Sequence, residues 1–224
     1  MKNAILLFAL ALWVSSCQSD APKSAASQTT TPDQTAAKAQ MEHKTIVFFG
    51  NSLTAAYNLS PEQGFPALVQ QKIDSLQLPY RCINAGLSGE TTADGANRIN
   101  WVLQQPVHVF VLELGGNDAL RGLPLEASKK NLQSIVDQVK AKYPDCKIVV
   151  AGMEAPPNLG AKYTRDFHNM YPELARNNKA ALIPFLLQGV GGEPHLNLSD
   201  GIHPNVEGQK IVANNVWQVL KPLL

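Results

Sequence analysis

From residue 44 onward, short apolar runs alternate with longer segments in which apolar residues recur at three- and four-residue spacing. The short runs lie at 45–49, 81–84, 109–114, 147–151 and 181–185, are bounded by Gly, Pro or Asn, and are mostly apolar on both faces. A strand covered on both sides has no polar side to alternate with, so the pattern predicts buried parallel strands. The longer segments predict helices. Phe65, Leu68, Val69, Ile73 and Leu76 make one stripe, Leu132, Ile135, Val136, Val139 and Tyr143 a second, and Val212, Val216, Val219, Leu220 and Leu223 a third. That spacing gathers the residues on one helical face, which needs a sheet to cover it. Strands alternating with helices through right-handed crossovers predict an α/β fold, a doubly wound three-layer α/β/α sandwich. In such a fold the site lies at the carboxyl ends of the strands, near the point where strand order reverses.

The first 43 residues do not follow this pattern. Lys2 and the amino terminus precede an apolar run at 4–14, and Ser15 and Ser16 lead to Cys17. The run is too short to span a bilayer and has the charge, apolar and small-residue regions of a secretory signal, expected here over residues 1–16. Val14-Ser15-Ser16-Cys17 resembles a bacterial lipobox, in which the cysteine is acylated and becomes the mature N-terminus. An ordinary secretory signal with an incidental cysteine is the other reading. Residues 17–43 are Ser, Thr, Gln, Ala, Pro and Lys with hardly a larger aliphatic, which predicts a disordered tether behind a lipidated Cys17. About 25 such residues reach roughly 25–30 Å. The expectation is therefore an exported lipoprotein of a bacterial cell envelope, periplasmic or surface-facing, held to the membrane through its lipid anchor, with one domain over 44–224.

Charge narrows the function. The chain has 19 basic and 18 acidic side chains, three of each sign before residue 44. A neutral domain lacks the basic field with which nucleic acid is bound, so no nucleic-acid partner is expected. Without an obvious exposed apolar stripe it is expected to be a monomer. Cys82 and Cys146 lie inside apolar runs and read as small buried hydrophobes rather than as a disulfide.

The chemistry sits where strands end. After the first strand comes Gly50-Asn51-Ser52-Leu53-Thr54, after the second Asn84-Ala85-Gly86-Leu87-Ser88-Gly89-Glu90-Thr91, and after the third Leu114-Gly115-Gly116-Asn117-Asp118. Asp200-Gly201-Ile202-His203-Pro204-Asn205 precedes the last helix. Together these supply what acyl transfer requires. A serine hydroxyl becomes a nucleophile when a positioned histidine takes its proton, and a carboxylate orients that imidazole. Ser52, His203 and Asp200 are the candidates, the last two close enough to pair within one turn. The N–H groups of Ser52 and Gly89 and the side-chain amide of Asn117 are candidate oxyanion donors. Each signal alone has a plainer reading: Ser52 as a helix cap, Gly89 as a turn, Asp118 as a cap after Gly-Gly-Asn, His203 as solvated. Four loops in order on one sheet edge favour catalysis.

These four blocks resemble the SGNH (GDSL-type) hydrolases, over essentially the whole chain from Ile46. Within that family VLELGGNDALRG at 111–122, and Pro184-Phe185 together with the Asp200–Asn205 block, look most like the bacterial acyl-thioesterase/lysophospholipase/arylesterase branch. The resemblance implies a flavodoxin-like sheet of strand order 2-1-3-4-5, Ser52 as nucleophile, His203 as base, Asp200 as its orienting acid, and Ser52, Gly89 and Asn117 as the oxyanion hole. It implies a serine ester hydrolase acting through an acyl-enzyme on short- to medium-chain carboxylic esters, a small ester or a lysolipid, with thioesters possible substrates. A carbohydrate O-deacetylase of the same fold and a non-catalytic ligand-binding lipoprotein are the alternatives. Asn51 departs from the family's usual Gly-Asp-Ser-Leu.

His108, His168 and His195 stand apart from other ligands at zinc spacing, and no glycine cluster is followed by Lys-Ser/Thr, so neither a metal nor another cofactor is expected. Ala155-Pro156-Pro157-Asn158-Leu159-Gly160 follows the fourth strand and is either a selectivity element or a plain turn. Leu186, Leu187 and Val190 either line a groove or belong to the core.

Overall fold

A computed structural model describes residues 43–224. The signal peptide expected at 1–16, Cys17 and the tether expected before residue 44 fall, up to residue 42, outside the described residues. Among the described residues five strands form one parallel sheet: β1 (Lys44–Gly50), β2 (Tyr80–Gly86), β3 (Val109–Glu113), β4 (Lys147–Ala151) and β5 (Ala181–Ile183), in the order β2-β1-β3-β4-β5. The order reverses at β1, so β2 and β3 flank it and the loops that follow all three share one edge. The helices are α1 (Phe65–Ser75), α2 (Thr92–Val102), α3 (Gly116–Leu120), α4 (Leu125–Lys142), α5 (Ala161–Asn178) and α6 (Val206–Leu220). α1 packs on α6, while α2, α4 and α5 pack in succession, giving the two outer layers of the sandwich.

The central strand shows why both faces had to be apolar. Ile46, Val47, Phe48 and Phe49 of β1 are wholly buried. Successive side chains of a strand point to opposite faces. Phe48 meets Phe65 of α1 edge-on at 5.6 Å, while the Phe49 ring carries the Arg98 guanidinium of α2 at 4.3 Å. Each helical stripe covers one of these faces.

Three helices go beyond the stripes in the sequence. α2 buries Thr92, Gly95, Ile99 and Val102, too few large aliphatics to mark a face. α3 is a single short turn. α5 buries Phe167, Met170, Tyr171 and Leu174 but carries Pro172 in its interior, a residue that normally ends a helical pattern. The fifth strand is shorter than the 181–185 expected. Pro184 has no N–H to give a ladder, and the chain turns across the end of β4, with Gly152 N donating to Ile183 O and Leu186 N donating to Gly152 O, each at 2.8 Å. β2 is longer than 81–84, because its pairing with β1 runs from Tyr80 to Gly86.

Cys82 and Cys146 are both free thiols. β1 and β3 stand between their strands, a separation of about 14 Å at the usual strand spacing, beyond the reach of a disulfide. Burial pushes both thiols up to about 12, which leaves them unreactive. No helix among the described residues is long and apolar enough to cross a membrane.

Asp118 of α3 is buried and ties three helices together. Its carboxylate accepts from Thr92 N at 2.8 Å and Thr92 Oγ1 at 2.6 Å, at the start of α2, and from Ser128 Oγ of α4 at 2.9 Å. It thus caps α2 from another element, fixing the loop after β2 against the loop after β3. Asp118→Ala should leave these donors buried without an acceptor. The expected loss is about 3 kcal/mol, read as a fall of about 6–12 °C in thermal midpoint for a domain of this size.

Candidate active site

The turn after β1 is built to hold a serine at the sheet edge. Asn51 Oδ1 accepts from Leu53 N at 3.0 Å, and Ser52 O accepts from Tyr57 N at 3.0 Å, so the chain doubles back just past Ser52. Gly50 is glycine because there is no room for more. A Cβ on it would stand 2.4 Å from Glu113 Oε2 and 2.2 Å from Thr54 Oγ1. Asn51, where the family signature usually has Asp, is buried and performs the turn-closing hydrogen bond that either side chain could make.

The second loop lies between β5 and α6. Asp200 Oδ1 accepts from Ile202 N at 2.9 Å and His203 N at 3.0 Å, closing the turn on itself. Its other oxygen stands 2.8 Å from His203 Nδ1, and His203 Nε2 stands 2.8 Å from Ser52 Oγ. An imidazole protonated at Nδ1 donates to Asp200 and accepts from the serine hydroxyl at Nε2. Leu198 N donates to His203 O at 2.7 Å, Asn197 and Pro204 form an antiparallel bridge, and Asn205 caps α6 through Glu207 N and Gly208 N. The loop is therefore closed from both sides. Burial of the Asp200 carboxyl acts to raise its pKa, but the N–H groups of His203 and Ile202 and the His203 ring outweigh it and hold Asp200 down to about 2. It stays a carboxylate at any pH where the protein would work.

Gly89 and Asn117 come from the loops after β2 and β3. Gly89 has φ of 85°, a left-handed conformation that suits glycine. Arg121 Nη2 donates to Gly89 O, and Asn117 Nδ2 donates to Glu90 O, both at 2.8 Å. An amide carries two hydrogens, so Asn117 keeps one for the cavity. The buried Glu90–Arg98 ion pair and the Arg98 hydrogen bond to Ala85 O brace the same loop.

Ser52, Gly89, Asn117 and His203 line one open cavity of about 650 Å³, with Asp200 behind the imidazole. Its far wall is apolar: Leu120, Met153, Pro156, Pro157, Phe185 and Leu187. Ala155, Pro156 and Pro157 of the Pro-rich loop thus face the site, and Leu187 does too, whereas Leu186 and Val190 are core. Phe185, two residues past the end of β5 at Ile183, is part of this lining. Of the other histidines, His108 Nδ1 accepts from Thr45 N at 2.9 Å, and His195 is exposed. His168 pairs with Glu154, a cavity residue, at 2.6 Å.

Two residues here were given no role by the sequence. Tyr57 lays its ring against His203, centroids 4.5 Å apart, between Ala56 and Asn58, both left-handed at φ of 58° and 57°. Glu113 ends β3 wholly buried beneath the serine turn, accepting from Asn51 N at 3.1 Å and Thr54 Oγ1 at 2.8 Å. A lone Tyr in a turn is unremarkable until the fold is known, and Glu113, although inside the VLELGGNDALRG block, shows its contact with the serine turn only once β1 and β3 are paired.

A hydroxyl, an imidazole and a carboxylate in hydrogen-bonded series, beside backbone and amide donors and an apolar wall, suit acyl transfer from an apolar ester. A profile of the GDSL-like Lipase/Acylhydrolase family matches residues 48–211. The chain is 38% identical over 186 residues to the esterase TesA of Pseudomonas aeruginosa, covering 83% of this chain and 92% of that protein. It is 34% identical over 181 residues to the thioesterase 1/protease 1/lysophospholipase L1 of Escherichia coli strain K12, covering 80% of this chain and 85% of that one. A crystal structure of TesA superposes with a TM-score of 0.76 at 39% identity, covering 81% of this chain and all of the other. The chain belongs to the GDSL-like lipase/acylhydrolase family, and it is a serine ester hydrolase.

Proposed function

We propose that the enzyme hydrolyses carboxylic esters of short to medium acyl chains, lysophospholipids among them, with Ser52 as nucleophile. The observation that carries this is the series Asp200–His203–Ser52, two contacts of 2.8 Å, opening onto an apolar cavity. Ser52 Oγ attacks the acyl carbonyl carbon as its proton passes to His203 Nε2, and the Asp200 carboxylate stabilises the imidazolium. The oxyanion receives hydrogen bonds from Ser52 N–H, Gly89 N–H and Asn117 Nδ2, all on residues that line the cavity. On collapse the imidazolium protonates the departing alcohol, leaving an acyl-serine. Water then attacks the acyl carbon, gives its proton to Nε2, and Ser52 leaves with that proton restored.

The apolar wall supports an acyl chain in preference to a sugar acetate. The relatives named as an esterase and as a thioesterase and lysophospholipase agree with it. Cys17, following Val14-Ser15-Ser16, supports acylation of that cysteine and attachment of the domain to a bacterial envelope membrane.

Ser52→Ala should lower kcat for p-nitrophenyl butyrate by about 10⁴-fold or more, and Asp200→Asn by about 10²–10⁴-fold, both with circular dichroism unchanged. Unaltered turnover in Ser52→Ala would remove the proposed mechanism. With p-nitrophenyl acetate, butyrate, octanoate and laurate, kcat/KM of residues 44–224 should rise from acetate to a medium chain and then fall. Activity confined to acetate would point to a deacetylase. Mass spectrometry of the full chain expressed in a bacterial host should find an N-terminal Cys17 carrying acyl chains; an unmodified cysteine would exclude the anchor.

A further inference from the structure

The assigned chemistry leaves the buried carboxyl of Glu113 without a task. Glu113 is the last residue of β3, and the parallel register sets it directly opposite Gly50 of β1. It is 1% exposed. Burial pushes its carboxyl up to about 7, although hydrogen bonds from Thr54 and Asn51 favour the charged form. One oxygen, Oε1, is buried with no hydrogen-bond partner among the described protein groups. As a packing residue it is a poor choice, since an aliphatic of that size would fill the space without a desolvation penalty or an orphaned oxygen. A buried polar group half satisfied in a native fold calls for a reason beyond packing.

The reason lies in what the other oxygen does. Oε2 accepts from Asn51 N at 3.1 Å and Thr54 Oγ1 at 2.8 Å, the residues immediately before and two after Ser52. Both hydrogen bonds thus end on the turn that carries the serine, one on its backbone and one on its hydroxyl. The space is shared so closely that residue 50 can have no side chain. The residue at 51 is a neutral amide, which places no second carboxylate against Glu113.

We propose that Glu113 is a positioning residue: its carboxylate anchors the 50–54 turn from below at two points and so holds Ser52 Oγ in line with His203 Nε2. The inference rests on Ser52 being the nucleophile. Glu113 touches neither Ser52 Oγ nor the cavity; it acts by fixing the turn, and a displacement of about 1 Å at a reacting atom is enough for a 10²-fold loss of rate.

The test uses the full domain with p-nitrophenyl butyrate, and in parallel the rate at which a fluorophosphonate labels the serine. Glu113→Leu fills the volume and removes the acceptor. It should lower kcat about 10²-fold with KM within about threefold, and slow labelling by the same factor, in protein whose circular dichroism matches the native enzyme. Glu113→Gln keeps one acceptor oxygen and should recover most of that loss. Thr54→Val, which removes one anchor point without changing size, should lower kcat about tenfold at unchanged KM, and it decides the matter if Glu113→Leu does not fold. A merely structural role would lower the thermal midpoint of these variants and leave kcat and labelling of the folded protein as they were; that result overturns the proposal. Ser52→Ala in the same series separates the two readings. If it is inert and unlabelled while the Glu113 and Thr54 variants keep full rate, only the positioning role falls. If it retains turnover and labelling, the nucleophile assignment falls with it.

Discussion

A hydroxyl and an imidazole 151 residues apart stand 2.8 Å from one another because a parallel sheet delivers every strand end to the same edge. The order β2-β1-β3 sharpens this. Chain connectivity runs β1, β2, β3, but with β1 in the middle the loops after all three converge, and glycine, amide and serine arrive at one cavity. The last loop, before α6, brings the imidazole to the same cavity already paired with its carboxylate. No residue of the site could be held so without the crossovers that cover both faces of β1 with helix.

Asp200, Asp118 and Glu113 are three carboxylates of this region held in different ways, and their surroundings explain the differences. Asp200 is turned toward solvent and saturated by N–H donors, which keep it ionised. Asp118 is buried, but backbone and hydroxyl donors from α2 and α4 satisfy it and make it a strut between two loops. Glu113 is buried and only half satisfied, and both bonds it makes run to the serine turn. A charge left incompletely solvated weakens a fold, so the proposed gain is in the geometry of the turn rather than in stability.

The apolar part of the cavity lining is drawn in part from a segment just past the end of β5. β5 ends at Ile183, short of the 185 its sequence suggested, and Phe185 just beyond Pro184 lines the cavity. The Pro-rich loop after β4 closes the same wall from the other side. Substrate selection in this reading is therefore set by two proline-bearing segments, whose backbones lose less freedom than most when they order around a chain.

The sequence by itself determined the strands, because runs apolar on both faces have no stable place except between two layers of helix. It determined also the four blocks whose Ser52, Gly89, Asn117 and His203 line the cavity, since a residue type at a strand end is visible wherever the strand is. α2 and α5 were hidden: a helix that buries Thr92 and Gly95, or contains Pro172, draws its stability from what it packs against and not from a local stripe. Only the tertiary structure decided which leucine of 186 and 187 faces the cavity, that Tyr57 covers His203, and that Glu113 lies under Gly50. Each of these is a contact between residues distant in the chain or a choice between adjacent side chains. Periodicity records which residues are buried; which partner each one meets is settled by strand order and register, and those exist only once the sheet has formed.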